Sequence, residues 1–129
     1  MPKSPILLVE DNPHDVELIG EALVGVDPVI QLHVTSSVAS AWALVSGMPH
    51  DCLPSLVITD HHLPDGCGHD LIARLQACPI RNLVPVVMVS GDSLRPPGLG
   101  NDIMWFAKPD TWSGWRTLAQ ALVGRITPL

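Results

Sequence analysis

The chain has 129 residues, 47% hydrophobic and 16% charged, with a mean hydropathy of +0.30; this matches one compact domain and leaves no room for a second. Seven Lys plus Arg against thirteen Asp plus Glu give a formal charge of −6, the wrong sign for the counterion-release binding of nucleic acid. No apolar run approaches the roughly 18 residues of a membrane span.

Ile6-Leu7-Leu8-Val9 is the first run of strand length. Too little apolar chain precedes Glu10 and Asp11 for an export signal, so a cytoplasmic location is expected. Asn12-Pro13 supplies an N-cap and a proline at the first helical position, and Val16, Ile19 and Leu23 give one apolar face, which predicts a helix from about 13 to 24. Ile30, Leu32 and Val34 alternate with Gln31, His33 and Thr35, the period-2 pattern of a strand with one face more exposed, as at a sheet edge. Ser36 or Ser37 can cap a second helix through about Ser46. Leu56 to Thr59 is a third strand, and Leu71, Ile72, Leu75 and Cys78 mark the buried face of a third helix. The runs 84–89 and 103–106 are the fourth and fifth strands. Between them Pro96, Pro97, Gly98 and Gly100 break any helix, leaving a loop or at most one turn over 92–102. Trp112, Trp115, Leu118, Leu122 and Ile126 space the apolar face of the last helix. The alternation predicts an α/β fold, a doubly wound, five-stranded parallel sheet with helices on both faces, formed as one domain over 1–129. Cys52, Cys67 and Cys78 are odd in number and lack a C-x-x-C pairing, so free thiols are expected.

Ligands of such sheets sit beyond the carboxyl ends of the strands. There the first strand presents Glu10-Asp11, the third Asp60, the fourth Ser90 and the fifth Lys108-Pro109. Three converging carboxylates repel unless a hard divalent cation neutralises them, which points to Mg²⁺ on Asp11 and Asp60, with Glu10 acting directly or through water. Asp60, central on this rim, is the candidate nucleophile, forming an aspartyl phosphate. Lys108, as a point cation, and the Ser90 hydroxyl, as a donor, would share the charge on the phosphoryl oxygens. Singly each residue has a plainer explanation: acids suit a helix N-terminus, serine suits turns, and lysine suits the surface. Their co-occurrence at the ends of the right strands is what argues for a site.

These residues resemble the receiver domain of two-component response regulators. Ile6 to Pro13 is similar to the family's first strand and acidic pair, and the stretch L-V-I-T-D-H-H-L-P-D-G ending at Gly66 to its phospho-acceptor strand and loop. Val86-Val87-Met88-Val89-Ser90-Gly91 resembles the strand ending in the Ser/Thr switch, and Ala107-Lys108-Pro109 the Lys-Pro loop. The resemblance implies a flavodoxin-like fold of strand order 2-1-3-4-5, with the fourth helix shortened or missing because the stretch from Ser90 to Lys108 is short. It implies that Asp60 accepts a phosphoryl group from the phosphohistidine of a sensor histidine kinase. Mg²⁺ would be held by Glu10, Asp11, Asp60 and the backbone carbonyl of His62. Ser90 would move toward the phosphoryl group while Trp105 turns inward, and the bond before Pro109 would be cis.

The expected function is that of a single-domain response regulator that acts on an unidentified downstream protein or relays the group to a phosphotransfer domain. Its only chemistry would be its own phosphorylation and dephosphorylation. Direct contact with nucleic acid or membrane is not expected, and a homodimer stays open. Two other classes compete: a pseudo-receiver scaffold that binds without phosphorylation, and an aspartate-nucleophile phosphohydrolase, against which His62 stands where such enzymes carry a second acid. His61, His62, Cys67 and His69 form H-H-x4-C-x-H, zinc-ligand types at close spacing, but on a loop assigned to the acceptor. His62 is read as a modulator of the phosphorylated lifetime, His14 as a solvated first-turn residue, and Asp92 as a control position outside the site. Trp112 and Trp115 are read as core contacts, and Met104 and Leu94 as parts of a face uncovered by the lost helix.

Overall fold

The computed structural model describes residues 5–78 and 84–126. The start of the chain at 1–4 and the full extent of a 1–129 domain lie outside the described residues. The elements run β1 (Ile6–Val9), α1 (Pro13–Val26), β2 (Leu32–Thr35), α2 (Val38–Ser46), β3 (Leu56–Thr59), β4 (His62–Leu63), β5 (Gly66–Cys67), α3 (Gly68–Gln76), β6 (Val86–Ser90), β7 (Met104–Ala107) and α4 (Trp112–Val123), with a 3-10 turn at His50–Cys52. Five strands make one parallel sheet in the order β2-β1-β3-β6-β7. With the short antiparallel pair β4-β5 set aside, this is the expected 2-1-3-4-5.

Each central strand alternates its side chains between two cores, as the pleat requires. Ile6, Leu8, Ile58, Val87 and Val89 face Ile19, Leu23, Trp115, Leu118 and Leu122 of α1 and α4. Leu7, Val9 and Val57 face Val38, Ala41 and Val45 of α2 and Leu71 and Leu75 of α3. Strands buried on both faces explain the near-continuous apolar runs of β1, β3 and β6.

The segment between β6 and β7 forms no helix. Leu99 and Ile103 turn inward against Ile72 and Met88, Arg95 Nη2 donates to the carbonyls of Leu99 and Gly100, and Gly98 adopts φ +82°, where a side chain would be strained. Leu94 is left 79% exposed and Met104 39%. Among the described residues no helix is long and apolar enough to cross a membrane.

Several boundaries and faces differ from those expected of the sequence. The fourth strand starts at Val86 because Pro85 has no N–H for the ladder, although its carbonyl accepts from the Val57 N–H at 2.9 Å. The fifth starts at Met104 because the Ile103 N–H closes a turn onto Gly100 O at 3.1 Å. Helix α1 runs on to Val26. Val34 is exposed because β2 is an edge strand with only β1 beside it. Cys78 lies past the end of α3 and is half-buried. Trp112 opens α4 and is 45% exposed, so Trp115 alone of that pair is core.

Candidate functional site

The register brings the chemistry together. Val9 pairs with Thr59, so the next residues, Glu10 and Asp60, emerge side by side, and the Asp60 N–H extends the ladder to Val9 O at 3.0 Å. Ser90 pairs with Ala107, and the Lys108 N–H donates to Ser90 O at 2.8 Å. Four adjacent strand ends thus present two carboxylates, a hydroxyl and an ammonium, with Glu10 3%, Asp60 7% and Ser90 0% exposed.

The turn after β1 is shaped by its sequence. Asn12 caps α1 by accepting the His14 N–H at 2.9 Å, with Pro13 at the first position. The Asn12 N–H in turn donates to Glu10 Oε1 at 3.1 Å, which aims Glu10 inward, while Asp11 and His14 stay exposed. After β3, the His61 N–H donates to Asp60 Oδ1 at 2.7 Å and orients that carboxylate. Gly68, at the start of α3, is fixed by the same packing: a Cβ there would collide with the Asp60 carbonyl oxygen and come within 2.9 Å of Met88 Cε.

Lys108 Nζ lies 2.9 Å from Glu10 Oε2, 2.7 Å from Asp15 Oδ2 and 3.2 Å from Asp60 Oδ2. Burial opposes the ammonium, but hydrogen bonds to Asp15 and Glu10 and the Asp60 charge outweigh it and hold its pKa above the ordinary 10.5. Burial pushes Glu10 the other way, from 4.5 up to about 7, against the hydrogen bonds from Lys108 and the Asn12 amide. One ammonium among these acids leaves an excess of negative charge. Glu10, Asp11 and Asp60 each place a carboxylate oxygen within 4.8 Å of the others. An all-oxygen, under-neutralised set of this kind fits a hard divalent cation.

A second network lies beside the first. Ser90 Oγ donates to Asp92 Oδ2 at 2.9 Å and accepts from Trp105 Nε1 at 2.9 Å. Asp92 also faces His61 Nδ1 at 2.9 Å and His62 Nε2 at 3.2 Å. The hydrogen bonds from His61, then His62 and Ser90, hold its carboxyl well below the usual carboxylate range.

The structure thus gathers Glu10, Asp11, Asp60 and Lys108 and ties Trp105 to Ser90. It corrects two expectations. No peptide among the described residues is cis, so the bond before Pro109 is trans; trans is the lower-energy isomer of an X-Pro bond, and Lys108 reaches the acids with it. Asp92 is no bystander, since it binds the Ser90 hydroxyl and both loop histidines. Asp15 was missed as well: it sits in the first turn of α1 and reaches Lys108 Nζ from there at 2.7 Å.

The family model "Response regulator receiver domain" matches residues 6–96. No curated protein matches the chain. Among solved structures, the phosphorylated cyanobacterial phytochrome response regulator RcpA has a TM-score of 0.79 at 21% identity, covering 96% of this chain and 94% of that one. The bacteriophytochrome response regulator AtBRR has a TM-score of 0.75 at 26% identity, covering 98% and 96%. The receiver domain of the sensor histidine kinase PA1611 from Pseudomonas aeruginosa PAO1, with a magnesium ion coordinated in its active-site cleft, has a TM-score of 0.72 at 20% identity, covering 95% and 98%. With the family model spanning most of its length and the same fold in these neighbours, the chain belongs to the response regulator receiver domains.

Proposed function

We propose that this receiver domain is a phosphorylation-controlled module of cytoplasmic two-component signalling, in which Asp60 takes a phosphoryl group from the phosphohistidine of a sensor histidine kinase. The observation that carries the reading is Lys108 Nζ at 3.2 Å from a buried Asp60 carboxylate, among further acids at adjacent strand ends. An Asp60 oxygen attacks phosphorus as the P–N bond breaks; the bond's electron pair leaves with the kinase imidazole, which is protonated on its other ring nitrogen and so ends neutral. The His61 amide holds the carboxylate in one orientation, Lys108 offers a fixed positive charge to the phosphoryl oxygens, and the Ser90 hydroxyl, once it leaves Asp92, is the neutral donor. Glu10, Asp11, Asp60 and the backbone carbonyl of His62 would hold Mg²⁺, which supplies compact divalent charge to the phosphoryl oxygens when bound. The phosphorylated form of RcpA and the magnesium in PA1611 support this reading by likeness of fold. The acidic surface, with a formal charge of −6, favours output through a partner protein or a phosphotransfer domain over nucleic acid.

Intact-protein mass after incubation with Mg²⁺ and acetyl phosphate tests it. One added phosphoryl group, absent without Mg²⁺ and absent in Asp60→Asn, is the expected result. No adduct, together with no binding of beryllofluoride, would overturn the reading in favour of a scaffold that works unphosphorylated.

A further inference from the structure

Beside the acidic cluster lies a group of different chemistry. His61, Cys67 and His69 each offer a ligand atom, and all three atoms lie within 4.8 Å of one another. The rings of His61 and His69 meet edge to face with centroids 5.1 Å apart, and Cys67 Sγ is 3.8 Å from His69 Nδ1. The short β4-β5 hairpin makes this possible, because it folds Cys67 back opposite His62, and α3 begins at once with Gly68 and carries His69.

Two details point to a ligand. His69 Nε2 is buried and has no hydrogen-bond partner, a state that a bound ligand would relieve. His61 Nδ1 faces the Asp92 carboxylate at 2.9 Å. That carboxylate accepts, so the imidazole proton sits on Nδ1 and Nε2 keeps the lone pair that binds a metal. A carboxylate on the far nitrogen of a ligating histidine is the usual support of such a ligand. Asp92, already held by His61, His62 and Ser90, serves better as that support than as a ligand.

We propose that His61, Cys67 and His69 form a binding site for a borderline-soft transition ion of the Zn²⁺ class, separate from the carboxylate site. Two imidazoles and a thiolate suit Zn²⁺, whereas Mg²⁺ prefers oxygen. In a tetrahedral site the ligand atoms would be roughly 3.3–3.8 Å apart, so modest side-chain rotation closes the set and a fourth position stays open to water. Binding forms a Zn–S bond and releases the Cys67 thiol proton to solvent.

The test is independent of the phosphorylation reading, because it uses the metal-free protein without a phosphodonor. Zn²⁺ is titrated by equilibrium dialysis in excess Mg²⁺, and Co²⁺ by absorption. One equivalent of Zn²⁺ is expected, weakened at least ~10-fold in Cys67→Ser and His69→Gln and ~10–100-fold in Asp92→Asn, and unchanged in Cys52→Ser and Asp11→Asn. Circular dichroism checks that each variant is folded. The wild type is also decisive without any variant, because Co²⁺ bound at Cys67 should show thiolate-to-metal charge transfer. Co²⁺ bound without that band, Zn²⁺ binding retained in both Cys67→Ser and His69→Gln, or Zn²⁺ binding lost in Asp11→Asn would overturn the site.

Discussion

Glu10 follows β1 almost out of solvent, and burial raises its pKa from 4.5 to about 7. Between those values the folded chain holds a proton that the unfolded chain has released. The associated stability is therefore complete below about 4.5 and is lost as pH rises through about 7. In metal-free buffer, the wild type should lose on the order of 2–3 kcal/mol more stability than Glu10→Gln between about pH 5 and pH 8. Urea midpoints at both pH values check this, and an equal decline in the two proteins would remove Glu10 as the cause. Added Mg²⁺ should flatten the wild-type decline, because a cation on the carboxylate removes the reason to protonate it. At this scale the rim was legible in the sequence wherever a group follows directly on an apolar strand, as Glu10, Asp60, Ser90 and Lys108 do. Asp15 and Asp92 were not, because each reaches the site from a helix turn or a loop, where strand register says nothing about side-chain direction.

Within the elements, the most informative segment is the one that forms no helix. Pro96, Pro97, Gly98 and Gly100 announced its absence, but not how the sheet face beneath is covered. Leu99 does so with Ile103, packing on Ile72 and Met88, and the Arg95 side chain holds the loop by the Leu99 and Gly100 carbonyls. Leu99→Ala should thus cost about 2–4 kcal/mol, the range for emptying a packed leucine site. Leu94→Ala, five residues away but 79% exposed, should stay within about 0.5 kcal/mol. Urea unfolding with an unchanged slope tests the contrast, and equal effects would mean that the loop is not anchored through Leu99. The helices were legible from caps and periodicity because both are local: Asn12 and Ser37 cap α1 and α2. Trp112 misled for the same reason, since helical spacing does not reveal where the neighbouring helix ends.

Across the whole molecule, Ser90 joins the carboxylate rim to the β7 edge. Its single O–H donates to Asp92, while its oxygen receives the Trp105 indole N–H. The contact depends on the indole N–H, since phenylalanine in its place has no donor to offer. A hydroxyl with one proton cannot donate to Asp92 and to a phosphoryl oxygen at once, so, if Asp60 carries a phosphoryl group as proposed, the two arrangements would exclude each other and define two states. Asp92 would bias the resting one, and removing it takes away a competing hydrogen bond to a charged acceptor, worth at least about 1.5 kcal/mol net. A ligand that selects the other state then binds more tightly by the amount of that bias. Asp92→Ala should accordingly bind beryllofluoride, with Mg²⁺ present, at least about tenfold more tightly than the wild type. The indole emission change on binding should vanish in Trp105→Phe, which leaves Trp42, Trp112 and Trp115 in place. Unchanged affinity in Asp92→Ala would show that the Ser90 proton is not what the two states contest, and an emission change persisting in Trp105→Phe would place the moving indole elsewhere.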